Sequence, residues 1–215
     1  MFRSTVVLVG FSTAGKSFYL QKIEKEYSNQ FSFFDSDKSV SSAYDAHIFN
    51  IFMAIGREAA IDYIENKEEQ FLRFVTKFTR KPQLIAAGPF LVIRSGWDKF
   101  IKKRNPFIIH LDKKSENVYN GLIERRQGHI SRLDISNPNF GSWDQNIITQ
   151  VHNGRYKEVL PEVGLANINA QLVLLNPLYQ KYGDILFDSN ELKSSIDRQQ
   201  DLTYLIIQKL SETLS

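Results

Sequence analysis

Residues 5 to 17, TVVLVGFSTAGKS, leave little freedom in how this chain begins to fold. Thr5 to Val9 form a short β-branched run, apolar at every position but the first, and Gly10 closes it. A strand without polar alternation must be covered on both faces, which is the usual situation of a strand inside a parallel sheet. After the loop comes SFYLQKIEKEY, in which Phe18, Leu20, Ile23 and Tyr27 fall on one predicted helical stripe. Strand, glycine-bounded loop and helix in that order predict a helix packed back over a sheet.

The same alternation runs through the rest of the 215 residues. FSFFD (31–35), QLIAAG (83–88), PFIIHLD (106–112) and GDILFD (183–188) read as four further strands. AYDAHIFNIFMAIG reads as a mostly buried helix stopping at Gly56. From Arg57 to Phe78, helical spacing is kept by Ile61, Ile64, Phe71, Leu72, Val75 and Phe78. KKSENVYNGLIERR and a C-terminal segment carrying Leu192, Ile196, Leu202, Leu205, Ile206 and Leu210 read as helices too. The expected fold class is α/β: a three-layer α/β/α domain over 1–215 with a five-stranded parallel sheet. A polar, turn-rich stretch at about 133–165 offers no strand and is read as an insertion on the ligand side of that sheet.

Composition limits the function classes. A net charge of +3 is too small to argue for a nucleic-acid partner. With no cysteine, neither a disulfide framework nor a thiolate metal site is available. No apolar run reaches the length of a membrane span, and the N-terminus lacks a signal-peptide core. A cytoplasmic protein, monomeric or weakly dimeric, without a membrane partner, is the expectation. The four histidines, His47, His110, His129 and His152, show no metal-ligand spacing, and His110 reads as a satisfied structural residue. Trp97 and Trp143 read as packing residues.

Gly10-Phe11-Ser12-Thr13-Ala14-Gly15-Lys16-Ser17 matches the phosphate-loop pattern G-x-x-x-x-G-K-[ST] without a mismatch. Successive N–H groups must turn inward around phosphate oxygens, and glycines permit the conformations this needs. The helix that follows presents its positive end to the same anion. Lys16 supplies a charge for the β- and γ-phosphates, and the Ser17 hydroxyl can ligate Mg²⁺. A chance turn is the competing reading, but the pattern sits between a buried strand and an amphipathic helix, as the mechanism requires. Nucleotide binding through Ser12, Thr13, Ala14, Gly15, Lys16 and Ser17 is therefore expected. At the end of the second strand, Asp35 and Asp37 are two residues apart. Both are expected to face the crevice where open α/β sheets bind ligands.

Together these segments resemble the shikimate kinase family. Asp35-Ser36-Asp37 resembles the family's strand-end D-x-D, and IFMAIGRE (51–58) its I-F-x-x-x-G-E with one residue inserted. Ile85-Ala86-Ala87-Gly88 resembles I-A-x-G, and Leu111-Asp112 the strand end L-D. Arg125 and Arg132-Leu133 resemble the paired arginines of a lid at about 125–133, and NPLYQKYGDILFD the segment before the last strand. The resemblance implies transfer of the ATP γ-phosphate to a hydroxyl of shikimate or a related small molecule, with ATP and Mg²⁺ required. It implies that Lys16 polarises the transferred phosphate, that Ser17 and Asp35 hold Mg²⁺, and that Asp37 binds the acceptor hydroxyl and accepts its proton. By the same token Arg125 lies near ATP, Gly88 and Arg132 contact the acceptor, and Asp188 to Glu191 flank adenine.

The departures from the family pattern fall mostly on the acceptor side. Pro89 and Phe90 stand where the family keeps glycines, and proline has no N–H to donate. The family's acceptor-binding arginine after G-E is matched here by Ile61 or Asp62, with Arg57 one turn earlier as a substitute. The readings left open are a kinase for another acceptor, such as a sugar acid or nucleoside, and a catalytically silent nucleotide-binding regulatory protein.

Overall fold

The computed structural model describes residues 4–43, 51, 55–78, 81–130, 165–190 and 195–212. The side chains of 57, 123, 125–130 and 165–167 lie outside that description. Five strands, β1 (Thr5–Val9), β2 (Ser32–Asp35), β3 (Gln83–Ala86), β4 (Phe107–Asp112) and β5 (Ile185–Asp188), form one sheet. Their order is β2-β3-β1-β4-β5, and every pairing is parallel. The described helices are α1 (Lys16–Tyr27), α2 (Ser36–Ser41), α3 (Arg57–Lys77), α4 (Gly96–Arg104), α5 (Ser115–Ile130), α6 (Leu165–Tyr182) and α7 (Ile196–Ser211), with a 3₁₀ turn at Leu91–Ile93.

Strand alternation divides the core into two layers. Val7, Val9, Ile85 and Ile108 face one side, against Leu72 and Val75 of α3 and Leu175 of α6. Val6, Leu8, Leu84 and Ile109 face the other, against Tyr19 and Ile23 of α1 and Ile206 of α7. Every residue of β1 is buried, as the unbroken apolar run predicts. Trp97 is a packing residue: it is buried with its ring centroid 5.5 Å from that of Phe100.

Three details differ from the sequence reading. Phe18 is 54% exposed, while its neighbour Tyr19 is buried at 1%. The loop ends at Gly15 with φ 101°, so α1 starts at Lys16 and its phase turns Tyr19 and Ile23 to the sheet and buries Leu20. One residue rotates a helix by about 100°, enough to exchange the roles of Phe18 and Tyr19. Ile61 lies in the first turns of α3 and is 42% exposed, ahead of the buried Phe71, Leu72 and Val75. Finally, α6 was not anticipated; it begins at Leu165, where the insertion was expected to end, and contains Pro177. Most of the helix expected over 43–56 lies outside the described residues, as does 133–164 of the expected insertion.

Candidate functional site

The loop leaving β1 holds the backbone shape that its glycines allow. Gly10 has φ 140°, and a Cβ there would lie 2.5 Å from the Leu111 carbonyl oxygen, so the loop can exit against the β4 backbone only without a side chain. Gly15, at φ 101°, caps the start of α1. No acidic side chain occupies the first turn of α1. The positive end of its dipole thus faces the loop without a built-in counter-charge. Lys16 is buried, and its Nζ donates to the carbonyls of Gly10 and Phe11 at 2.6 and 2.9 Å. Ser17 follows, half-exposed on the first turn.

Asp35 and Asp37 reach the same edge of the sheet by a route different from the expected one. The chain turns helical at Ser36, so Asp37 lies in the first turn of α2 rather than on β2. The cause is local: the Asp35 side chain caps α2, its Oδ1 accepting the Lys38 N–H at 3.2 Å. Asp37 nevertheless meets Gly88, because a Cβ on Gly88 would collide with the Asp37 Oδ1. Ser36 secures this approach, its Oγ accepting the Gly88 N–H at 2.6 Å. Asp37 and Gly88 thus lie together, while the strand geometry expected to turn Asp35 and Asp37 to one side is replaced by a helix start.

Asp35 also supplies the test for a divalent cation. Its Oδ2 is buried and has no hydrogen-bond partner among the described residues. A buried carboxylate oxygen left unsatisfied is costly unless something pairs with it. Magnesium takes hard oxygen ligands and is commonly held by one or two protein groups, keeping waters and substrate phosphates as the rest of its shell. A carboxylate with the hydroxyl of Ser17 suits that demand. Among the described residues no three His, Asp or Glu side chains form a richer metal cluster.

The segment after β3 is fixed by protein contacts. Tyr179 of α6 donates its hydroxyl to the Pro89 carbonyl at 2.6 Å, and Phe90 packs half-buried against the core. The Tyr179 hydroxyl is held well above its usual range, first by burial and then by the Asp37 charge. Asp62 is exposed on α3. The helices α3 and α5 carry Arg57 and Arg125, whose side chains lie outside the described residues; Arg132 and Glu191 lie outside them altogether.

Sequence reasoning missed the first two of three groups here, and the third, Asn190, lies in the 188–191 loop that the resemblance placed beside adenine. Arg94, after the 3₁₀ turn, donates Nε to Glu68 Oε2 at 2.5 Å and Nη1 to Glu65 Oε1 at 2.6 Å. Glu68 is buried, and its carboxyl is pushed up to about 7. Burial is the largest cause; Arg94 opposes it, and Asp37 and Glu65 add to it. Lys113, directly after β4, donates Nζ to the Thr13 carbonyl at 2.8 Å and to its Oγ1 at 3.3 Å. Asn190 accepts from the Lys114 N–H at 2.7 Å and the Asn117 side chain at 3.0 Å, tying the loop after β5 to α5. No local pattern marks Arg94, Glu68 or Lys113; each is defined by a partner far away in sequence.

His110 differs from the satisfied residue expected. It is buried against the Tyr179 ring, but its Nδ1 has no hydrogen-bond partner among the described residues. Burial lowers its pKa, the Lys16 charge lowers it further, and Asp112 opposes both, so the ring is neutral at pH 7.

Neither a family model nor a curated protein sequence matches the chain. Solved structures do. The shikimate kinase from Acinetobacter baumannii in complex with shikimate superposes with a TM-score of 0.59 at 20% identity. That match covers 97% of this chain and 93% of the other. The shikimate kinase from Bacteroides thetaiotaomicron matches with a TM-score of 0.57 at 16% identity, covering 98% and 97%. The chain has the shikimate kinase fold. Identity at this level speaks to the architecture, and the chemistry has to be argued from the side chains. Among the described residues no helix is long and apolar enough to cross a membrane.

Proposed function

We propose that the protein is a small-molecule kinase of the shikimate kinase type, transferring the γ-phosphate of ATP to a hydroxyl of shikimate or a closely related acceptor. The observation that carries this reading is the convergence of Asp37 and Gly88 at the sheet edge that also bears the phosphate loop. A loop alone would support nucleotide binding; a carboxylate held near it gives a hydroxyl somewhere to leave its proton.

Phosphoryl transfer depends on positioning and charge neutralisation more than on covalent chemistry. The loop N–H groups and the start of α1 bind the phosphates, and Lys16 exchanges its loop carbonyls for phosphate oxygens. Asp37 orients the acceptor hydroxyl and takes its proton as the new O–P bond forms and the bond from the γ-phosphorus to the bridging oxygen of ADP breaks. Ser17 and Asp35 would hold magnesium, which supplies charge neutralisation across the phosphate oxygens when bound. Arg125 and Arg132 would close over the reacting groups from the lid and exclude water, with Arg57 and Arg132 receiving an acceptor carboxylate.

A coupled ADP-release assay tests this, offering shikimate beside gluconate, other sugar acids and nucleosides. Shikimate-stimulated release supports the full assignment. Release with a different acceptor keeps the kinase and removes shikimate. ATP binding without turnover over the whole panel would replace the enzyme with a nucleotide-binding regulatory protein.

A further inference from the structure

The phosphate loop contains one residue whose backbone its side chain disfavours. Thr13 has φ 67°, a left-handed conformation that is uncommon for any residue with a Cβ and strained for a β-branched one. Something outside the loop has to hold it there, and two groups do. On one side Gly121 of α5 lies so close that a Cβ on it would sit 3.0 Å from the Thr13 Cβ and Oγ1. On the other, the Lys113 ammonium donates to the Thr13 carbonyl at 2.8 Å and to its hydroxyl at 3.3 Å.

Carbonyl oxygens are what a phosphate loop must keep away from its anion. Lys16 engages those of Gly10 and Phe11, and Lys113 engages that of Thr13. Two ammonium groups, one from α1 and one just after β4, therefore engage three loop carbonyls, and Lys113 keeps that of Thr13 when Lys16 turns to the phosphate. The segment bearing Lys113 is itself anchored. The Asp112 carbonyl accepts from Ser189 N–H at 2.7 Å and Ser189 Oγ at 2.6 Å, and the Lys114 N–H donates to Asn190. The three residues after Leu111 thus join the phosphate loop to the loop after β5.

We propose that Lys113 is a positioning residue of the nucleotide site, holding the Thr13 turn in its anion-accepting shape and adding a second positive charge on the β4 side of the loop. The inference rests on the nucleotide reading above and deepens it. Lys113 carries no motif, since a lysine following a strand is indistinguishable in sequence from a solvated one.

Calorimetry with MgATP and with inorganic tripolyphosphate tests it on wild type, Lys113→Met, Lys113→Arg and a remote charge control, Lys102→Met. Amide hydrogen exchange over residues 11 to 15, measured without nucleotide, supplies a ligand-free readout. Lys113→Met is expected to weaken both ligands on the order of tenfold, the loss of a charge-assisted hydrogen bond, and to speed exchange in the loop. Lys113→Arg should recover most of the affinity, and Lys102→Met should bind like wild type. Unchanged tripolyphosphate affinity in Lys113→Met would overturn the proposal, even if its melting temperature fell. So would an equal loss in Lys102→Met, which would reduce the effect to net charge. Wild-type protein that binds neither ligand would instead overturn the nucleotide reading itself, and this inference with it.

Discussion

The phosphate loop and the proposed acceptor side of the site are built in different ways. The phosphate loop is written in eight consecutive residues, Gly10 to Ser17, and its shape follows from glycines and a helix start adjacent in the chain. The proposed acceptor side is assembled from distant pieces. Asp37 meets Gly88, Tyr179 reaches Pro89, and Arg94 crosses to Glu65 and Glu68. A feature made by neighbours in sequence survives divergence as a recognisable motif. One made by long-range contacts can be rebuilt from other residues without leaving a signature. The contrast explains why the phosphate loop is readable from sequence alone while the contacts around Gly88, Pro89 and Arg94 are not.

The largest expected effect lies on the phosphate side. Lys16→Ala should lower turnover by a factor on the order of 10³ while leaving the circular dichroism spectrum unchanged. Purified variant that retained full phosphotransfer would break the comparison at its firmest point.

On the acceptor side the largest expected effect is on stability. Arg94→Met removes the partner of a buried carboxylate, and breaking such a pair costs about 3 kcal/mol. The urea midpoint should fall accordingly, with Glu65→Gln, whose carboxylate is half exposed, falling far less. Equal losses in the two variants would show that Arg94 is held at the surface and not by Glu68.

Gly88→Ala comes next. Its new methyl group must displace the Asp37 carboxylate, and misplacing a reacting group by about 1 Å costs on the order of 10² in rate. The expected signature is a fall in kcat with little change in KM for ATP, which keeps the two sides of the site separable. A rise in KM for ATP with kcat preserved would join them.

How much was legible follows from the same contrast. The five strands, the loop and both aspartates could be located from local pattern, because strand hydrophobicity and motif spacing are local properties. The exchange of Phe18 for Tyr19 could not, since the helix phase depends on where a left-handed glycine starts the turn. The helical placement of Asp37 was missed because Asp35 serves both as a strand end and as a helix cap. Lys113, Glu68 and Arg94 were invisible for a different reason. Each is an ordinary charged residue until the fold brings its partner, which for Lys113 and Thr13 lies 100 positions away.

The effect that is smallest at any single pH step sharpens the proposed acceptor side by its pH dependence. The Glu68 carboxyl titrates at about 7 in the folded chain, against an ordinary value of 4.5. Between those values the native state holds a proton that the unfolded chain has released. Ionising Glu68 therefore takes stability away as pH rises from about 4.5 to about 7, the reverse of what a salt-bridged carboxylate with a lowered pKa does. Arg94 limits the loss by stabilising the charged form, while Asp37 and Glu65 enlarge it. Glu68→Gln keeps the shape and a hydrogen-bond acceptor but does not titrate. Its stability relative to wild type should rise with pH across that window, by about 1.4 kcal/mol at most for each pH unit crossed, and level off above it. Urea unfolding at pH 5, 6, 7 and 8 reads the difference directly. A gap that stays flat, or that narrows as pH rises, would mean that Arg94 outweighs burial and that Glu68 is ionised throughout, leaving a permanent negative charge beside Asp37.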